Sequence, residues 1–310
     1  MPAAAGGQAS SDNTSTEYVL TLSCPDRVGI VHAVAAYLHQ AGCNVLDSQQ
    51  FGDRIAGRFF MRVHVETVPG APLTYESLRG GFAAVAAEFG MEWELHDTAV
   101  QPRVLILVSK AGHCLNDLLY RRAAESLRID VPLVVGNHPD LAPLAAAHGV
   151  PFEHVPVGPA SAGPASAGTD PLARQRSEGR LLDLVGELGI DFVVLARYMR
   201  ILSPELCAKM TGRIINIHHS FLPSFKGARP YHQAHAHGVK LIGATAHYVT
   251  ADLDEGPIIE QEVARVDHSD SPEDLAAIGR DAERVALARA VRWHAEHRVL
   301  LHGRRTVIFK

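Results

Sequence analysis

The chain has 310 residues, 47% of them apolar, enough for one or two domains with substantial cores. Its net charge of −5 and the lack of a long basic run argue against a nucleic-acid or anionic-membrane surface. No apolar run reaches the ~20 residues that a membrane-spanning helix needs.

The N-terminal stretch MPAAAGGQASSDNTST has neither a basic flank nor an apolar segment, so residues 1–16 read as a disordered tail rather than a signal peptide. Cys24, Cys43, Cys114 and Cys207 are widely spaced and form no CxxC pair, which fits reduced thiols in a cytoplasmic protein. Residues 17–97 make a first domain. Tyr18 to Ser23 is a predicted strand, and Asp26 is the expected N-cap of a helix carrying Val28, Val31, Val34, Ala35 and Leu38. Gly42 ends that helix. Strands over 44–51 and 58–66, a helix over 78–89 and a strand over 91–96 complete a βαββαβ order, the ferredoxin-like arrangement.

Residues 98–102 form the linker, and 103–310 a second domain. Val104 to Val108 is unbroken apolar sequence, as in a parallel strand covered on both faces. Helices over 116–127, 141–148 and 181–188 alternate with strands over 131–135, 152–155 and 191–196. This alternation predicts an open, doubly wound, mostly parallel sheet that binds ligands at its strand C-terminal ends. The tandem GPASA between Gly158 and Gly168 reads as a surface insertion. Ser271-Pro272-Glu273-Asp274 opens a long helix reaching His297, and Gly303 turns a closing hairpin.

The chemistry concentrates between Arg213 and Gln261. Alternation on a strand aims Asn216 and His218 to one side, with Ile215 and Ile217 on the other. A second strand, Leu241 to Val249, leads to a turn presenting Asp252, Asp254 and Glu255. Amide, imidazole and carboxylate can then meet at the two strand ends. They suit acyl chemistry on an amide: Asn216 for the oxyanion, His218 for the proton, and Asp254 to orient the imidazole or hold the attacking water. The residue types leave open whether His218 or Asp254 is the general base, and offer no cysteine or serine as nucleophile. His247 shares a face with Thr245 and Val249, either supporting Asp254 or bonded to backbone. His232, His235 and His237 have no usual metal spacing and belong to a short helix over the site, so no metal is expected. Cys114 reads as a packed thiol, and His113 as lining the site without a defined task.

Asn216-Ile-His218, Ser220-Phe-Leu-Pro223 and Leu253-Asp254-Glu-Gly256-Pro257 resemble, in order and spacing, the motifs of the folate-dependent formyltransferase family. The resemblance implies a folate substrate, no cofactor, and a catalytic trio of Asn216, His218 and Asp254. It implies a folate site along Met199, Arg200, Ile201 and Leu202 and along Val249, Thr250, Ala251, Asp252 and Leu253, with Lys226 and Arg229 available for a folate glutamate tail or simply solvated. Members that formylate ribonucleotides carry a glycine-rich loop after the first strand; here that loop, Ser109 to Asn116, keeps one glycine, which favours water as acceptor. The expected reaction is hydrolysis of 10-formyltetrahydrofolate to tetrahydrofolate and formate, balancing one-carbon folate pools and supplying formate for purine synthesis. Transfer to an amine and a non-catalytic sensor are the competing readings. The first domain resembles an ACT domain at Asp26-Arg27-Val28-Gly29-Ile30 and Gly42-Cys43-Asn44-Val45. That implies a homo-oligomer and an amino-acid effector near Asp26, Arg27, Gly29 and Asn44.

Overall fold

The computed structural model describes residues 15–68, 73–157, 171–222 and 230–310. The expectations for the tail up to residue 14, the GPASA repeat, Lys226 and Arg229 lie outside them. Thr16, expected in the tail, is already paired with Thr67 through backbone and side chain. The chain divides into two compact units between Val100 and Gln101.

The first unit runs β1 (Glu17–Pro25), α1 (Ile30–Gln40), β2 (Cys43–Asp53), β3 (Arg58–Thr67), α2 (Tyr75–Phe89) and β4 (Glu92–Asp97). The expected βαββαβ order gives an antiparallel sheet ordered β2-β3-β1-β4. Leu20, Leu22 and Cys24 of β1 pack in one core with Ile30, Val34 and Leu38 of α1 and Leu78, Phe82 and Phe89 of α2. Asp26 does not cap α1. Its backbone N–H bonds to the Gly57 carbonyl, and the helix begins at Ile30 after Gly29, whose φ of 100° is left-handed and favours glycine. Val28 consequently lies outside the helix and is 99% exposed. The helix α2 starts three residues earlier than expected, because Thr74 and Ser77 cap it reciprocally.

The second unit runs β5 (Arg103–Val108), α3 (His113–Ala123), β6 (Asp130–Gly136), α4 (Ala142–Ala147), β7 (Phe152–His154), α5 (Pro171–Glu187), β8 (Phe192–Leu195), α6 (Pro204–Lys209), β9 (Ile214–His218) and α7 (Pro230–Ala236). It continues through β10 (Leu241–Tyr248), β11 (Ile258–Arg265), α8 (Pro272–Ala295), β12 (Val299–His302) and β13 (Arg305–Ile308). The main sheet is ordered β11-β10-β9-β8-β5-β6-β7. Strands β7, β6, β5, β8 and β9 are parallel; β10 and β11 are antiparallel. Thus the sheet is mixed but mostly parallel. The sequence reading had no strand at β11, where the stretch between two turns is short and half polar. The turn from β10 to β11 is too short for a crossover helix, so that pair can only be antiparallel. The helix α3 begins at His113 rather than at Asn116, and α5 starts at Pro171 rather than at Leu181. Among the described residues, no helix is long and apolar enough to cross a membrane.

Register sets the site. Leu107 of β5 lies opposite Leu195 of β8, and Leu195 opposite Asn216 of β9. Asn216 in turn faces His247 of β10, and His218 faces Thr245. The polar groups of β9 and β10 therefore lie side by side where β5 and β8 end.

In the first unit, Phe82 is fully buried, with its ring 4.9 Å from Trp93 and 5.5 Å from Tyr37. Phe82→Ala is expected to destabilise this unit by about 3–5 kcal/mol, measured by denaturant unfolding followed through Trp93 fluorescence.

Candidate active site

Ile215 and Ile217 turn into the core, at 0% and 3% exposure, and Asn216 and His218 emerge on the other face. His218 is gripped at both nitrogens: Nδ1 lies 3.3 Å from Asp254 Oδ2, and Nε2 lies 2.8 Å from Ser220 Oγ. His247 is buried, with Nδ1 2.9 Å from the Tyr248 carbonyl, which can only accept. In the neutral ring Nε2 is then the acceptor, 3.2 Å from the Asn216 amide nitrogen. One Asn216 N–H is occupied this way, and the amide keeps a second. His247 Nε2 also stands 3.6 Å from Asp254 Oδ1. The backbone bond is that of one sequence reading of His247, and Asp254 is the neighbour named in the other.

Asp254 reaches this face by folding back. Because β10 is antiparallel to β9, it ends beside the start of β9, where the Val249 N–H bonds to the Ile214 carbonyl. The two strand ends therefore do not meet as the sequence suggested; the following turn carries Asp254 back across the sheet to His218. Asp254 itself is left-handed, with φ 56°, a conformation that Asp tolerates better than most residues. A Cβ on Gly256 would collide with the Tyr248 carbonyl oxygen, so this turn requires glycine. Burial raises the Asp254 carboxyl, but the bond from His218 outweighs it and holds the group well below the usual carboxylate range.

The folate segments named from sequence flank this face. Met199, Arg200, Ile201 and Leu202 follow β8. The Met199 N–H donates to Ser109 Oγ at 2.9 Å. Asn137 directly follows β6, and with its side-chain amide turned so that both ends find partners it donates to Ser109 Oγ at 2.8 Å and to the Val108 carbonyl at 3.1 Å, and accepts from Arg200 Nε at 3.1 Å. Ser109 and Asn137 thus tie the ends of three parallel strands together. The sequence reading assigned Asn137 nothing; a polar residue directly after a predicted parallel strand was the available signal. Val249 packs against the cluster that contains Tyr198 and Leu202, so the two segments adjoin. Thr250 Oγ1 donates to the Asp252 carbonyl, while Ala251, Asp252 and Leu253 are exposed.

Glu283 was missed altogether. It sits on α8 among Gly279, Ala282, Ala286 and Leu287, all buried, and is itself 1% exposed. A glutamate inside an apolar helical stripe was the legible signal. His113, at the start of α3, approaches it to 2.7 Å, which supplies the task the sequence could not. His113, Cys114 and Glu283 present possible metal-ligand atoms within 4.8 Å of one another. Their chemistry does not suit a cation: burial drives the Cys114 thiol up and keeps it protonated, and Arg197 already stands 3.4 Å from Glu283. His232, His235 and His237 lie on or just after α7 with their side chains exposed.

In the first unit, Arg27 donates to the Glu88 carbonyl and stacks its guanidinium 4.1 Å from the centre of the Phe89 ring. Asn44 donates to Glu66 at 2.8 Å. Asp26, Arg27 and Gly29 lie before α1 and Asn44 after it, a separation of about 16 Å along the 11-residue helix. One copy therefore does not bring all four together.

Residues 102–291 match the family model described as formyl transferase, and residues 18–80 match the ACT domain. Fold and site together define a formyltransferase-class domain preceded by an ACT domain. Among relatives, a formyltetrahydrofolate deformylase of Corynebacterium sp. is 49% identical over 293 residues, spanning 94% of this chain and 98% of its own length. The crystal structure of a formyltetrahydrofolate deformylase from Burkholderia mallei matches with a TM-score of 0.86 and 51% identity, over 95% of this chain and 100% of that one. Glycinamide ribonucleotide transformylase 1 from Symbiobacterium toebii matches over 70% of this chain and 98% of its own, with a TM-score of 0.60 and 32% identity. The chain belongs to the formyltetrahydrofolate deformylase family.

Because the folded Asp254 carboxyl is more acidic than its unfolded counterpart, its ionised form contributes stability at neutral pH. That contribution is complete above the ordinary carboxylate range and disappears as pH falls through the folded value. Asp254→Asn is expected to lower the thermal midpoint at pH 7, with the gap to wild type closing on acidification; melting curves across pH check this.

Proposed function

We propose that this chain hydrolyses 10-formyltetrahydrofolate to tetrahydrofolate and formate. The observation that carries the mechanism is the junction of Asp254, His218, His247 and Asn216 on one sheet face. Water attacks the formyl carbon. The free N–H of Asn216 stabilises the oxyanion as it forms. Asp254, ionised, holds the water and the imidazole, and His218 carries the proton from water to the departing N10. The C–N bond breaks, N10 gains the proton, and formate leaves. The folate lies along Met199–Leu202 and Val249–Leu253, mostly against backbone. Water rather than an amine is the acceptor because the loop after β5 has one glycine, and His113 within it is bound to Glu283. Residues 103–310 form the catalytic domain, with 98–102 as linker. The role that follows is to balance one-carbon folate pools and release formate for purine synthesis. Four buried free cysteines accord with a cytoplasmic setting.

The ACT domain points to a small-molecule effector, and residues 17–97 are read as regulatory. An amino acid fits Asp26, Arg27 and Gly29. Asn44, beyond the far end of α1, joins such a site only from a second copy, so a homo-oligomer belongs to the same reading.

Formate release without added amine tests the central reading. Wild type is expected to turn over steadily, and Asp254→Ala to lose about 100- to 10,000-fold in kcat. No release until an amine is supplied would make the chain a transferase; folate binding without turnover under either condition would make it a sensor.

One contact favours a second reading. Ser220 Oγ, His218 and Asp254 follow one another in the order of a serine-hydrolase triad. In that reading the hydroxyl attacks first and a formyl ester is then hydrolysed. Ser220→Ala separates the two: direct attack by water expects at most about a tenfold loss, whereas a serine nucleophile expects a loss nearer a million-fold. Single-turnover formate release reports the difference.

A further inference from the structure

Glu283 has no part in the proton path above, yet its charge is buried, which is costly unless partners are held around it. Each of its two oxygens has a hydrogen-bond partner, and an arginine stands at ion-pair distance. Oε2 faces His113 Nε2 at 2.7 Å and Arg197 Nε at 3.4 Å, and Oε1 accepts from the Tyr231 hydroxyl at 3.1 Å. Burial raises the carboxyl, but His113 and Arg197 outweigh it and keep the group ionised. One turn earlier on α8, Gly279 leaves the slot that the Tyr231 ring fills; a Cβ there would strike the ring. Arg197 stands two residues beyond the end of β8 and holds a left-handed φ of 63°, a costly conformation for a long side chain.

The three groups around Glu283 come from the start of α3, the segment after β8 and α7. The next residue on their common side is His219. Its ring lies 6.5 Å from Tyr231 and stacks on His218 at 4.9 Å with an interplanar angle of 28°. Burial, then Arg197 and His218, push its pKa down to about 4, so at neutral pH the stacked partner is uncharged. A proton on His218 therefore meets no repulsion from its neighbour. Asp254 and Ser220 hold His218 by its edges; His219 is the group on its face.

We propose that Glu283 is a positioning residue for deformylation: by gripping Tyr231, Arg197 and His113 it walls in His219 and so holds that ring flat against His218. The proposal rests on the hydrolytic reading of the site. It explains a buried charge on a helix that touches no proposed reacting group. It also explains why two consecutive histidines end β9: one exchanges protons and the other, uncharged, sets its plane.

The test is formate release by the full-length protein as wild type, Glu283→Gln, His219→Ala and His219→Phe. Glu283→Gln and His219→Ala are each expected to lower kcat about 10- to 100-fold with KM nearly unchanged, as for a displaced proton carrier. His219→Phe keeps a flat uncharged ring and is expected to recover most of that loss. Wild-type kcat in a folded Glu283→Gln, an effect confined to KM, or a His219→Phe as slow as His219→Ala would each overturn the proposal. Should Glu283→Gln not fold, the two His219 variants decide by themselves. A wild type that releases no formate overturns the hydrolytic reading, and this proposal with it.

Discussion

An ionised carboxylate on the face of a β-sheet survives only where donors are fixed around it, and Asp254 imposes that condition on everything near it. Its two oxygens face His218 and His247, which stand on adjacent antiparallel strands. The antiparallel pairing is what makes them neighbours, since the register puts His247 across from Asn216 and Thr245 across from His218. A one-residue slip would turn every one of these side chains into the core. The turn that delivers Asp254 must double back from the far end of β10. It can do so because Asp254 adopts a left-handed conformation and because Gly256 presents no Cβ to the Tyr248 carbonyl.

The second unit divides its work between the two kinds of strand. The parallel strands end together, and Ser109 and Asn137 lock their ends to the segment that begins at Met199. The last parallel strand, β9, carries Asn216 and His218, and the antiparallel β10 carries His247 and leads to Asp254. His113, at the start of α3, is bound to the buried Glu283. The Glu283 cluster converts a helix packed on the back of β9 and β10 into part of the frame around His218.

The sequence alone determined much of this molecule. Periodicity marked two domains, the βαββαβ order of the first, the alternating strands and helices that open the second, and the boundary near residue 100. Alternation along Arg213 to His218 sorted Ile215 and Ile217 from Asn216 and His218, because side-chain direction along a strand is a local property. The residues offered Asp252, Asp254 and Glu255 in the turn, and the resemblance to the family motif picked out Asp254. Local sequence also misled where neighbours intervened. Asp26 has the chemistry of a cap, but its backbone is claimed by the β2–β3 turn, and the helix waits for Gly29. Asp26 and Asn44 look like one site on paper and sit at opposite ends of a helix.

Tertiary structure decided the rest. Only the fold shows β10 running back along β9, so that Asp254 reaches His218 by a return loop instead of a strand end. Only the fold brings His113, Arg197, Tyr231 and Glu283 together, from four elements up to 170 residues apart in sequence. The reason is one of range. Strand and helix periodicity, caps and glycine turns act over a few residues and can be read along the chain. A buried charge finds its partners across the whole domain, and no local pattern encodes which distant side chain will be waiting there.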